Sequence, residues 1–136
     1  MSGDIMIVTN NPLAHEQLQD KYNVVYYELP LNEILKVMRD MIHTGCRLLT
    51  HPLSGSVKPG ETPYKSVLML EGQGAQGSAG EKGARADSES VKLIESALSA
   101  CEKFADKSAG YAEKTLKDLQ LIDLDLIKGA IASAYI

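Results

Sequence analysis

Three short apolar runs alternate with two helical patterns in the first fifty residues, and this order constrains the fold more than any other feature. The runs are Ile5-Met6-Ile7-Val8, Val24 to Leu29 (VVYYEL) and Arg47-Leu48-Leu49-Thr50. Continuous apolar runs of this length suit strands buried on both faces, and the β-branched and aromatic content of the second favours a strand. Between the first two, Asn11-Pro12 reads as an N-cap followed by the first helical residue, with the helix running to about Asp20. Between the second and third, Pro30 stops the strand and Asn32 is the expected cap. Ile34, Leu35, Met38, Met41 and Ile42 then mark one face of a helix. Gly45 stands where a left-handed C-terminal cap belongs. A β-α-β-α-β order implies parallel strands with right-handed crossovers.

Ser66 to Glu71 (SVLMLE) is a fourth strand, expected as an antiparallel neighbour of the third because no helical pattern joins them. The expected fold is therefore α/β. It is a three-layer, Rossmann-like open sheet of about four mostly parallel strands, followed by C-terminal helices. The 136 residues fit one domain, 1–136. Within it, Gly72 to Ala86 (GQGAQGSAGEKGARA) reads as a flexible linker, with a ligand-covering flap as the alternative. Residues 87–136 form the helical segment. Asp87 or Ser88 caps the first of its helices, whose stripe is Val91, Ile94, Ala97, Leu98, Cys101 and Phe104. Beyond Gly110, Leu116, Leu119, Ile122, Leu126, Ala130 and Ile131 line one side of the last helix. Leu121, Leu124 and Ile127 widen that stripe. A helix apolar on more than one side calls for burial on both, which suggests a homodimer through residues 116–136.

Charge narrows the class of partner. The net charge is −4 and the 14 Lys and Arg residues are scattered, so neither nucleic acid nor an anionic membrane is an expected partner. No stretch of 18 apolar residues exists to span a bilayer, and Met1-Ser2-Gly3-Asp4 lacks a basic leader. Cys46 and Cys101 match neither a zinc spacing nor a redox pair, so both read as free structural thiols of a cytoplasmic protein. His15 and His43 have no partner at ligand spacing, so no metal is expected. The GxGxxG and GxxxxGK[ST] fingerprints are absent, so no cofactor is expected either.

The candidate site is Thr50 to Lys65, THPLSGSVKPGETPYK, a long loop stiffened by three prolines. In an open parallel sheet it would lie beyond the carboxyl ends of the strands, facing Thr9, Asn10 and Asn11 across one crevice. Free N–H groups at the Asn11 helix start, hydroxyls from Thr50, Ser54 and Ser56, the flexible backbone of Gly55, and the charges of Lys58 and Lys65 suit a small anionic ligand. Glu61 and Tyr64 can hydrogen-bond a ligand amine or hydroxyl. His51 can act as a base, with Lys58 and Lys65 as electrostatic clamps, should the site be catalytic. Each of these residues also has an ordinary role, as a strand end, turn residue or solvated charge. The residues thus leave an enzyme, a binding protein and a docking module all open, with catalysis the less favoured.

The stretch LLTHPLSGSVKPGETPYKSV (Leu48–Val67), preceded by VTNNP (Val8–Pro12), resembles the GrdX family across about the first 70 residues. That resemblance implies a cytoplasmic accessory protein, encoded with the glycine, sarcosine and betaine reductases of amino-acid-fermenting anaerobic bacteria. It also makes a reductase subunit a candidate partner. It implies no mechanism and no catalytic residues.

Overall fold

A computed structural model describes residues 4–52, 60–72, 86–103 and 107–134. Four strands, β1 (Ile5–Thr9), β2 (Asn23–Tyr26), β3 (Arg47–Leu48) and β4 (Ser66–Leu70), form one sheet in the order β2-β1-β4-β3. Helices α1 (Pro12–Leu18), α2 (Leu31–His43), α3 (Ser88–Lys103) and α4 (Glu113–Ala134) complete the fold, with a 3-10 turn at Ser108–Gly110. Phe104 and most of the Gly-rich stretch, residues 73–85, lie outside the described residues.

The mixed α/β class and the four strands agree with the sequence reading, but the largely parallel sheet does not. Only β1 and β2 pair in parallel, while β4 runs antiparallel to both β1 and β3. The expected β3–β4 antiparallel pairing is present. The physical reason for the rest is that β4 enters the middle of the sheet and separates β1 from β3. The sequence joining β3 to β4 carries no helical pattern for a crossover, and β4 reverses direction against β3. Its side chains are as apolar as those of a parallel strand because helices cover both of its faces.

Alternation along the central strands divides the core. Met6, Val8, Val67 and Met69 point to one face, where they pack with Ile34, Leu35, Met38 and Ile42 of α2 and Ile94 and Ala97 of α3. Ile7 and Leu68 point to the other, against Ala14 and Leu18 of α1 and Leu124, Ile127 and Ile131 of α4.

The helix ends follow local chemistry. Asn11 caps α1 through a side-chain oxygen that accepts the Leu13 N–H, and Pro12 follows it. The cap of α2 is Pro30 rather than Asn32, because the Pro30 carbonyl already accepts the Ile34 N–H. Gly45, at φ 114, ends α2 as expected. Its N–H reaches the Ile42 carbonyl and the Cys46 N–H reaches that of Met41, the paired bonds of a Schellman motif. Asp87 caps α3 by accepting the Ser90 N–H at 3.0 Å and the Ser90 hydroxyl at 2.7 Å. The Ser90 oxygen in turn accepts the Leu48 N–H, which pins the short edge strand β3 to α3.

Candidate functional site

Thr9 ends β1 directly opposite Ser66, the first residue of β4. Their hydroxyl oxygens lie 2.6 Å apart. The Ser66 hydroxyl donates to Asp123 Oδ2 at 2.6 Å, so its oxygen accepts from Thr9, whose own oxygen accepts the Asn11 N–H at 2.9 Å. A chain of donors thus runs from the Asn11 backbone through two hydroxyls into one carboxylate. Asp123 also accepts the Ser66 N–H at 3.1 Å and Asn11 Nδ2 at 3.0 Å. All four residues are buried. Three donors on one carboxylate offset the cost of removing it from water.

Asp123 is the residue that sequence reasoning missed. Other acidic residues of α4, Glu113, Asp118 and Asp125, are exposed to solvent. Asp123 is buried because it falls on the same side of α4 as Ile127 and Ile131. A carboxylate spaced four and eight residues before two core isoleucines was the available signal.

Asn10 holds the loop on its return to the sheet. Its amide nitrogen donates to the carbonyls of Leu29 and Pro63, and its oxygen accepts the Lys65 N–H. Asn11 Nδ2 donates to the Gln120 carbonyl as well as to Asp123. The side-chain donors of both asparagines are therefore engaged inside the protein. Farther out, Tyr64 Oη accepts from Gln120, Glu61 pairs with Lys107 at 3.0 Å, and Tyr111 Oη donates to the Glu61 carbonyl. The last residues of the loop are thereby fastened along the start of α4. Burial holds the Lys65 ammonium below its ordinary pKa, with nearby Asp123 opposing the shift.

Of the expected crevice, only the Lys65 end of the loop faces the end of β1. Thr50 Oγ1 accepts the Leu68 N–H on the β3 side of β4, and exposed His51 follows it. Thr9, Asn10 and Asn11 lie on the β1 side, with β4 between. Ser54, Gly55, Ser56 and Lys58 lie outside the described residues.

What the β1 side does form is an open cleft of about 390 Å³ at the ends of β1 and β2. Asn10, Tyr26, Glu28, Tyr64, Ser108 and Leu116 line it, with the rings of Pro12, Pro30 and Pro63. His15 stacks flat on Tyr26, their ring centres 4.7 Å apart, and holds that ring in place. Burial raises the Tyr26 phenol above its usual pKa, and Glu28 and Tyr64 add to the effect. Glu28 is the one charged side chain among the described residues lining the cleft. Among the described residues, no three His, Cys, Asp or Glu side chains gather into a metal-binding group.

A family model described as GrdX-like protein matches residues 6–132 of the 136. The chain belongs to the GrdX-like family. The match runs past the loop and through α3 and most of α4, well beyond the first 70 residues that carry the resemblance. No curated protein and no solved structure matches the chain significantly. Among the described residues of this GrdX-like chain, no helix is long and apolar enough to cross a membrane.

Proposed function

We propose that this GrdX-like chain is a cytoplasmic accessory protein of glycine or betaine reductase metabolism. It binds a small ammonium-bearing ligand in the cleft between Tyr26 and Tyr64. The link to the reductases rests on the family name. The single observation behind the binding site is the lining itself: two tyrosine rings, three prolines and one carboxylate around a space large enough for a small metabolite. An ammonium group gains from an aromatic face and from a nearby carboxylate, whereas an anion is repelled by Glu28. The anionic ligand expected from the sequence would draw on Lys58, which is not among the described residues.

Binding without turnover is the reading that the polar groups support. Thr9, Asn10, Asn11, Ser66 and Asp123 hydrogen-bond one another and the returning loop. His51 lies across β4 from them. A catalytic site would need His51 and either Lys58, which lies outside the described residues, or Lys65 to converge within about 3–4 Å of one ligand atom.

Thermal unfolding with glycine, sarcosine, betaine, phosphate or acetyl phosphate tests the proposal. A ligand at 100 times its Kd adds about 2.7 kcal/mol of stability. Glycine, sarcosine and betaine, zwitterions whose cationic nitrogen would face Glu28 with the carboxylate directed to the open side of the cleft, are expected to raise the Tm of the native chain, with the gain lost in Glu28→Gln. A gain with the phosphates alone would reverse the assigned charge, and no gain with any compound would leave the cleft without its ligand.

A further inference from the structure

The outward side of α4 carries a second stripe, apolar at its centre and distinct from the one packed on the sheet. Thr115, Leu119, Ile122, Leu126, Gly129 and Ser133 follow one another at alternating intervals of four and three residues. That is the a/d spacing of a coiled-coil seam, and it holds for the length of the 22-residue helix. Leu119 is partly buried and the other five are exposed, with Ile122 at 39% and Leu126 at 43%. The core-facing residues Leu124, Ile127 and Ile131 lie on the other side of the helix, so the seam points away from the sheet.

The occupant of this seam is readable from its own order of large and small residues. A two-fold axis near residue 124 that pairs α4 with an antiparallel copy sets Leu119 against Gly129, Ile122 against Leu126 and Thr115 against Ser133. Leu119 then fills the space that a glycine leaves, and two large apolar side chains meet at the centre. The small hydroxyl residues Thr115 and Ser133 close the ends, where the seam opens to water. A side chain directed from Gly129 would meet nothing within 4 Å, so room for a leucine of another copy is present there. The same patch serves both copies, as a two-fold interface requires. A parallel pairing would instead stack Gly129 on Gly129 and leave a gap. One contact opposes the arrangement: Asp125 approaches Asp125 of the second copy near the axis. Both are exposed, and water and salt screen the pair.

We infer that α4 joins two copies of this chain in an antiparallel, two-helix seam centred between Ile122 and Leu126. The seam lies on the face of α4 away from the sheet, and its test is independent of ligand binding in the cleft.

Sedimentation equilibrium of the full chain across a wide concentration range should give a dimer mass. Leu126→Glu should weaken the dimer at least tenfold while, at dilutions where both chains are monomeric, circular dichroism and Tm stay close to those of the parent. Gly129→Leu should also weaken it, by colliding with Leu119 of the other copy. Orientation is tested in a Cys101→Ser background: a mixture of Ile122→Cys and Leu126→Cys chains should form a disulfide-linked heterodimer in preference to either homodimer. A monomer at every concentration, a dimer indifferent to Leu126→Glu, or preferential Ile122→Cys homodimers would overturn the inference.

Discussion

Helices α2 and α4 cover opposite faces of one sheet, and they do so in different ways. On α2, the side chains toward the sheet are all apolar and fully buried: Ile34, Leu35, Met38 and Ile42. Its outer side carries the exposed pair Lys36–Glu33 and the partly exposed Arg39 beside Asp40. On α4, a buried carboxylate sits within the sheet-facing stripe, while Leu121, Ile122 and Leu126 face outward. The α2 face does nothing but pack. The α4 face packs, closes a polar network over the end of β1, and presents a second surface. On α4 the amphipathic rule is broken in both directions, with a charge inside and apolar residues outside.

Mutation can sharpen this contrast. The largest loss is expected on the dry face: Leu35→Ala should cost about 3–5 kcal/mol, because truncating this fully buried side chain leaves a void in the core. It should leave ligand binding at the cleft unchanged in whatever fraction stays folded, as urea unfolding and calorimetry can check. On the α4 face, Asp123→Ala should cost about 2–4 kcal/mol by leaving the Ser66 and Asn11 donors buried without their acceptor. Unlike Leu35→Ala, it should also increase hydrogen exchange at Lys65 and Ser66. Equal protection there in the two variants would break the distinction.

Gly72→Ala tests the outer margin of the sheet. A methyl group there would collide with the Gly45 carbonyl group, so a loss of about 1–3 kcal/mol in denaturant unfolding is expected. Asp87→Ala should cost about 1 kcal/mol through loss of the α3 cap. The hydroxyl and N–H of Ser90 hold the Asp87 pKa below its ordinary value, with Arg47 adding to the effect. A depressed folded-state pKa contributes stability above the unfolded value near 3.9, lost as pH falls through the folded one. The parent chain should therefore lose more stability than Asp87→Ala as the pH falls below about 4. Smallest of all, Leu126→Glu should change the stability of a dilute monomer by less than about 0.5 kcal/mol.

How much of this could be read from the sequence follows the same division. The core face of α2 was legible because its apolar residues recur with one period and its remaining residues are polar. Gly45 was legible because a left-handed cap leaves few alternatives. The core face of α4 was not: with apolar residues nearly all round, Leu119, Ile122 and Leu126 looked as fit for the core as Leu124 and Ile127. The sheet order was hidden for a different reason. Local pattern reports that β3 and β4 are joined without a helix, but not on which side of β4 the first strand will lie. The Asn10 and Asn11 pair was correctly placed at the end of β1. Sequence could not show that their amides hold the returning loop, since their partners Lys65, Gln120 and Asp123 are 55 to 112 positions away along the chain.

The position of β4 also governs how the chain can be made. β1 takes its longer pairing, Ile5 with Leu70 through Thr9 with Ser66, from residues about sixty positions later. A ribosome adding about 5–20 residues per second exposes β1 for several seconds before that partner emerges. During that interval one edge of the most apolar strand is open to any other extended chain. Only β2 can cover its other side early, by a short crossover through α1. Closing a loop of that length is a slow, entropy-limited step. Assembly of this sheet is therefore expected to be late and cooperative, and to be most vulnerable to aggregation before residue 70 is released.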